Sequence, residues 1–231
     1  MREISGLTAD HLLLIFNHVD FFDPFTETER RALAGDHTHL VAYEVGEYLI
    51  QEGSSEERSF FLLLSGGASV VKQGASIPLA ALVPGDFFGE VSFLTSRSRT
   101  SNVIVHPPGA TIRETPTIPN LFHLGLPERV QQATATVLRF DPELMPSLDP
   151  MLRIRIKDQI IQHLTRRVDL MHAQVVRVTG QDPMISGDEA LEDQLREGCH
   201  TPLEEREHTK DRLIEQLAAF LDELNQSLVS C

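Results

Sequence analysis

Between His39 and about Val105 no apolar run lasts long before a glycine or another turn residue breaks it, as in HLVAYEVGEYLIQEGS, SFFLLLSGGASVVKQG and IPLAALVPGDFFGE. Runs this short cannot supply the long apolar stripe of a packed helix. Glycine at their ends permits tight reversals, so the pattern predicts a meander of short antiparallel strands. This region constrains the fold most, because a sheet of this kind needs other elements to cover its apolar face.

The flanks supply helices. LTADHLLLIFNHVDFF places Thr8 as N-cap ahead of a one-sided apolar pattern, and TETERRALAG places Thr26 ahead of an acidic first turn, with Gly35 just past the end. After five prolines between Pro107 and Pro127, ATVLRFDPEL reads as one more strand and a turn. Beyond Pro150, residues Ile154, Ile161, Leu164, Val168, Met171, Val175 and Val178 repeat at steps of three and four, with one place skipped at Lys157. A period near 3.5 is the seam of a two-helix coil. Residues 180–209 read as an acidic linker poor in large apolar side chains. In the last helix Leu213, Leu217, Leu221, Leu224 and Leu228 form a stripe that needs something to pack against.

Charge narrows the range of partners. The 231 residues carry a net charge of −14, and residues 179–231 hold thirteen acidic against four basic side chains. Nucleic acid is bound through clustered Lys and Arg, so this tail argues against a DNA-reading element. No run approaches the roughly 20 apolar residues of a membrane span, and MREISGLTAD lacks the basic start and apolar block of a secretory signal. The expected location is the cytoplasm, with no membrane contact. Cys199 and Cys231 give neither a disulfide framework nor a zinc spacing. His37, His39, His106 and His123 lack the carboxylates or thiolates that would complete a metal set, and no glycine-flanked nucleophilic serine occurs. Neither a metal nor an enzymatic activity is expected.

The informative stretch begins at Pro84. PGDFFGE supplies a turn and then Gly89 and Glu90 at the opening of a short helix, and nine residues after Glu90 comes Arg99. A helix N-terminus presents unpaired N–H groups and partial positive charge, and glycine allows close approach of the backbone. Arg99 can neutralise an anion through paired donors, whereas Glu90 is acceptor-only and suits a sugar hydroxyl. A ligand with a phosphate beside a free hydroxyl fits both.

The segment FGEVSFLTSRSRTSNV, residues 88–103, resembles the phosphate-binding cassette of the cyclic-nucleotide-binding domain family. Gly46, Gly53 and Gly66 sit where that family turns between its early strands. The resemblance runs from about Phe21 to Val178 and implies a β-rich α+β fold, an antiparallel jelly-roll β-barrel with flanking helices. It implies a β-roll over 20–149 and a long helix over 150–178, to which the residues themselves add an N-terminal helix over 1–19 and a Pro-rich insertion at 106–132. An acidic linker at 179–208 and an amphipathic helix at 209–229 would follow. It further implies cAMP or cGMP as regulatory ligand, held by Gly89, Glu90, Val91, Ser92, Arg99, Thr100 and Ser101. Glu90 would take the ribose 2′-hydroxyl, Arg99 the cyclic phosphate, and backbone amides around Gly89 and Ser101 the rest of the cradle. A threonine at position 100 accompanies cGMP use in this family, though cAMP-binding members carry hydroxyl residues as well. Arg166, Arg167 and His163 on the long helix are the candidates to cap the purine.

Two features depart from the family. About thirty residues separate Val105 from Val137, and the C-terminus supplies no basic helix-turn-helix. The expected protein is a non-enzymatic sensor that signals through its C-terminal helices, to a protein partner on the Leu213–Leu228 stripe or to a second copy through residues 154–178. The competing readings are a transcription regulator with an unrecognised DNA-binding tail and a scaffold with a degenerate pocket.

Overall fold

Nine short strands and six helices emerge from this sequence in a computed structural model that describes residues 1–4, 7–74, 78–95, 97–106, 134–179 and 202–229. The chain divides into two units, Met1–Leu148 and Asp149–Cys231.

In the first unit β1 (Arg2–Glu3) precedes α1 (Ala9–Phe16), a 3-10 turn at Asp20–Phe22 and α2 (Glu27–Leu33). Both helices start where the sequence places their caps. Thr8 and Thr26 each accept from the backbone N–H three residues on, and His11 and Glu29 reach back to the cap N–H to close capping boxes. The strands follow as β2 (Thr38–Tyr43), β3 (Tyr48–Ile50), β4 (Phe60–Ser65), β5 (Ala68–Val71), β6 (Ala80–Leu82) and β7 (Phe87–Phe88). After α3 (Glu90–Leu94) come β8 (Asn102–Val105), β9 (Ala135–Phe140) and α4 (Leu144–Ser147). Gly46, Gly53 and Gly66, the expected turn glycines, all take positive φ, at 80°, 82° and 81°.

Every pairing is antiparallel, and the described strands fall into two sheets, ordered β1-β2-β9-β4-β7 and β3-β8-β5-β6. The β-rich α+β class stands. Of the expected jelly-roll β-barrel the described residues show two antiparallel sheets, with no ladder joining one to the other. The N-terminal residues were expected only as helix, yet Arg2 and Glu3 pair with Ala42 and Val41 and extend the larger sheet. The Pro-rich insertion lies outside the described residues except for His106, whose N–H donates to Gly67 O.

Continuous apolar runs explain the core, since β4 and β9 are buried on both faces. Val41, Phe61, Leu63, Leu64, Val137 and Leu138 are fully buried, and the rings of Phe60 and Phe140 stack at 4.4 Å, only 10° from parallel. Phe93 of α3 meets Phe60 edge-on at 4.6 Å, which pins the short helix to β4.

The second unit consists of α5 (Pro150–Thr179) and α6 (Leu203–Val229), which pack against one another. The last helix begins six residues before the expected 209. Leu203-Glu204-Glu205 follows Pro202, and a proline ahead of two carboxylates is a favourable helix start. Arg153 pairs with Glu207, and Lys157 with Asp211, so the ion pairs climb both helices in the same direction and the helices run parallel. Ile161, Leu164, Val168, Leu213, Ile214, Leu217, Leu221 and Leu224 are buried. The place skipped by the apolar seam is thus a lysine layer, where Lys157 pairs with Glu207 and Asp211, and Lys210 with Asp158. Polar layers of this kind fix register and orientation at some cost in stability. The seam expected to join two copies and the leucine stripe expected to hold a partner are therefore filled within one chain. The side chains of Val178 and Leu228 lie outside the described ones.

Candidate functional site

The cassette starts where β7 ends. Gly89 caps α3 with φ 83°, and a Cβ there would meet Arg99 Nη1 at 2.7 Å, Ile50 Cδ1 at 2.9 Å and the Ser59 carbonyl at 3.2 Å. Only glycine combines that backbone conformation with so close an approach. Thr95 closes the short helix by donating from its hydroxyl (2.7 Å) and N–H (2.9 Å) to Val91 O.

Arg99 comes to rest against this turn. Its Nη1 donates to Gly89 O at 2.8 Å and its Nη2 to Ser59 O at 2.5 Å. The backbone is held as firmly, with Arg99 N–H donating to Ser54 O and Gly53 N–H to Arg99 O, both at 2.8 Å. The side chain is only 5% exposed. Burial pulls the guanidinium down from its ordinary pKa, and the negative charges of Glu57 and Glu90 oppose that shift. Two main-chain dipoles with carboxylates at a distance leave the cation short of full compensation, and an added anion would be stabilised there.

Glu90 and Ser92 are buried, Ser101 is buried at the far end of the cassette, and Val91 and Thr100 are half-exposed. The structure joins Gly89 and Arg99 by a direct hydrogen bond and brings Glu90 close enough to act on the Arg99 charge. Thr100 is fixed through its carbonyl, which accepts from Lys72 Nζ at 2.9 Å, and Lys72 also faces Glu52 at 3.6 Å. Beside Arg99 opens a cavity of about 260 Å³, lined by Tyr48, Leu49, Ile50, Gln51, Ser54 and Glu57 together with Arg99 itself.

Sequence reasoning missed Ser59, Glu57 and Lys72. Only Glu57 left a trace, as an acidic residue in the polar turn GSSEERS between two apolar runs. Among the described residues no group of three or more His, Cys, Asp or Glu side chains could hold a metal ion, and no helix is long and apolar enough to cross a membrane.

Residues 40–111 match the family model described as Cyclic nucleotide-binding domain. Over that span the chain resembles the family. Similar curated proteins include the cAMP-dependent protein kinase regulatory subunits of Emericella nidulans, 34% identical over 73 residues, and of Yarrowia lipolytica, 41% identical over 75 residues. Each alignment spans 32% of this chain, and the chain covers only 18% and 20% of those two proteins. Among solved structures, a cyclic nucleotide-binding domain from Methylobacillus flagellatus is 18% identical with a TM-score of 0.53, covering 77% of this chain and 86% of that one. The structure described as cAMP bound PfPKA-R (141-441) is 20% identical with a TM-score of 0.50, covering 76% and 48%. At these identities the likeness establishes the shared fold.

Proposed function

We propose that the chain is a cyclic purine mononucleotide sensor, binding cAMP in the first instance, with Arg99 pairing the cyclic phosphate and Glu90 taking the ribose 2′-hydroxyl. The observation that carries this reading is Arg99 itself, a buried guanidinium folded back onto the glycine that opens α3, hydrogen-bonded to two carbonyls while the carboxylates of Glu57 and Glu90 act on it from a distance. Amides around Gly89, Val91, Ser92 and Ser101 complete the cradle. Thr100 supports cGMP as the competing ligand, while the regulatory subunits similar to this chain are described by cAMP.

The protein acts by binding, without catalysis, and its output element is the pair α5 and α6 acting together. The leucine stripe is not the contact surface in this reading, since it is buried inside the pair. Binding shifts an output element only as far as the ligand's affinities for two states differ.

Thermal denaturation of ligand-free protein tests the reading. A ligand at a hundred times its dissociation constant stabilises the fold by ~2.7 kcal/mol. A raised midpoint with cAMP or cGMP, absent with 5′-AMP, is the expected result. No shift with either cyclic nucleotide at millimolar concentration overturns it in favour of a scaffold with an empty pocket.

A further inference from the structure

Just beyond β9, Asp141 occupies the centre of a side-chain network that ends on the carbonyl holding Arg99. Its main-chain N–H donates to His37 O at 2.9 Å, which fixes the residue at the sheet edge. Its Oδ1 accepts from Arg139 Nε at 2.9 Å and from the Ser59 hydroxyl at 3.2 Å, and its Oδ2 lies 3.0 Å from His39 Nε2. The other ring nitrogen of His39 faces Glu3 Oε1 at 3.1 Å, and Arg139 Nη2 stands 3.8 Å from Glu3 Oε2. Asp141 is thus anchored by two strands before it reaches Ser59.

Ser59 is 3% exposed and works in two directions. Its hydroxyl donates to Asp141, and its carbonyl accepts from Arg99 Nη2. Directly after it, Phe60 pairs with Phe140 across the β4–β9 ladder and stacks on its ring, so the ladder and the Asp141 bond fix the same stretch of backbone. The peptide at Ser59 cannot turn its carbonyl away from the guanidinium while both hold. Loss of the carboxylate removes one of these two restraints.

We infer that Asp141 is a positioning residue for the phosphate site, acting through Ser59 to aim Arg99. This inference rests on Arg99 being the phosphate ligand. Among the described residues the hydrogen bonds and ion pairs of Asp141 reach Ser59, Arg139, His37 and His39, so its effect on the cassette passes through the Ser59–Arg99 hydrogen bond. It must therefore vanish when Arg99 is removed.

The test is a double-mutant cycle on the full chain, read by calorimetric titration with cAMP. Asp141→Ala is expected to weaken binding roughly tenfold in the wild-type background and to add nothing in the Arg99→Ala background. Ser59→Ala is expected to give the same loss, not additive with Asp141→Ala, and serves where Asp141→Ala fails to fold. Asp141→Asn, which keeps an acceptor for the Ser59 hydroxyl, should restore most of the affinity. An unchanged affinity in Asp141→Ala and Ser59→Ala, or an equal loss with and without Arg99, overturns the inference. The Arg99 Nε–H resonance in ligand-free protein provides the second readout. If the wild type binds no cyclic nucleotide, the functional reading fails, and displacement of that resonance in Ser59→Ala and Asp141→Ala still supports the positioning whereas an unmoved resonance refutes it.

Discussion

Arg99 and Lys157 are both cations only 5% exposed, one in each unit, and their surroundings differ in kind. Lys157 is met by two carboxylates, Glu207 at 3.1 Å and Asp211 at 2.6 Å, so the fold neutralises its charge. Arg99 is met by two carbonyls, with carboxylates acting only from a distance. A buried cation paired with carboxylates has a structural task, setting the register of two helices. One bonded to dipoles, with its carboxylates held at a distance, keeps part of its field still to be met, which is what an anion site requires.

The contrast is broken most directly at Arg99. Arg99→Ala is expected to weaken cAMP binding by at least ~2 kcal/mol, some thirtyfold, in calorimetric titration. Equal affinity in the variant would remove the distinction between the two cations. Gly89→Ala comes next: an added methyl at positive φ, 2.7 Å from Arg99 Nη1, should cost about 1–3 kcal/mol in urea unfolding and weaken ligand binding as well.

Lys157→Ala sharpens the other side. It leaves Glu207 and Asp211 short of a partner, but both carboxylates reach solvent, so the expected loss is about 1 kcal/mol of stability with cAMP affinity unchanged. A large fall in affinity would show that the lysine layer serves the ligand. The smallest effect is on pH. Burial acts to raise the Glu207 pKa, but hydrogen bonds from Arg153 and Lys157 outweigh it and hold the carboxyl below its ordinary range. The folded form therefore releases its proton more readily than the unfolded. The resulting stability is present above the ordinary carboxylate pKa and fades as pH falls through the lower folded value. Stability measured by unfolding across an acid titration should change with pH at different rates in the wild type and Glu207→Gln only in that window, with the variant the flatter of the two.

What the sequence revealed was local. Thr8 and Thr26 cap helices through bonds three residues long, the turn glycines act at their own φ, and Gly89, Glu90 and Arg99 lie within one short segment. Long-range partners left no such pattern. Ser59 meets Arg99 across 40 residues and Asp141 across 82, and nothing in a run such as RSFFLLL marks its serine as an anchor. The heptad seam was legible as a seam, but its occupant was not, since a repeat specifies a complementary helix without saying which chain supplies it. Barrel closure was illegible for a related reason: an apolar run marks a buried strand, and closure depends on which edges meet.

Parallel packing has an electrical corollary. Because α5 and α6 point the same way, their peptide dipoles reinforce instead of cancelling, and both sets of unpaired amides collect at one end of the pair. There Asp149 accepts from the Met151 N–H at 2.8 Å, while Glu204 and Glu205 occupy the first turn of α6. Glu204 and Glu205, two members of a stretch that on paper reads as a repellent for phosphate backbones, are in the fold a counterweight to two aligned helices.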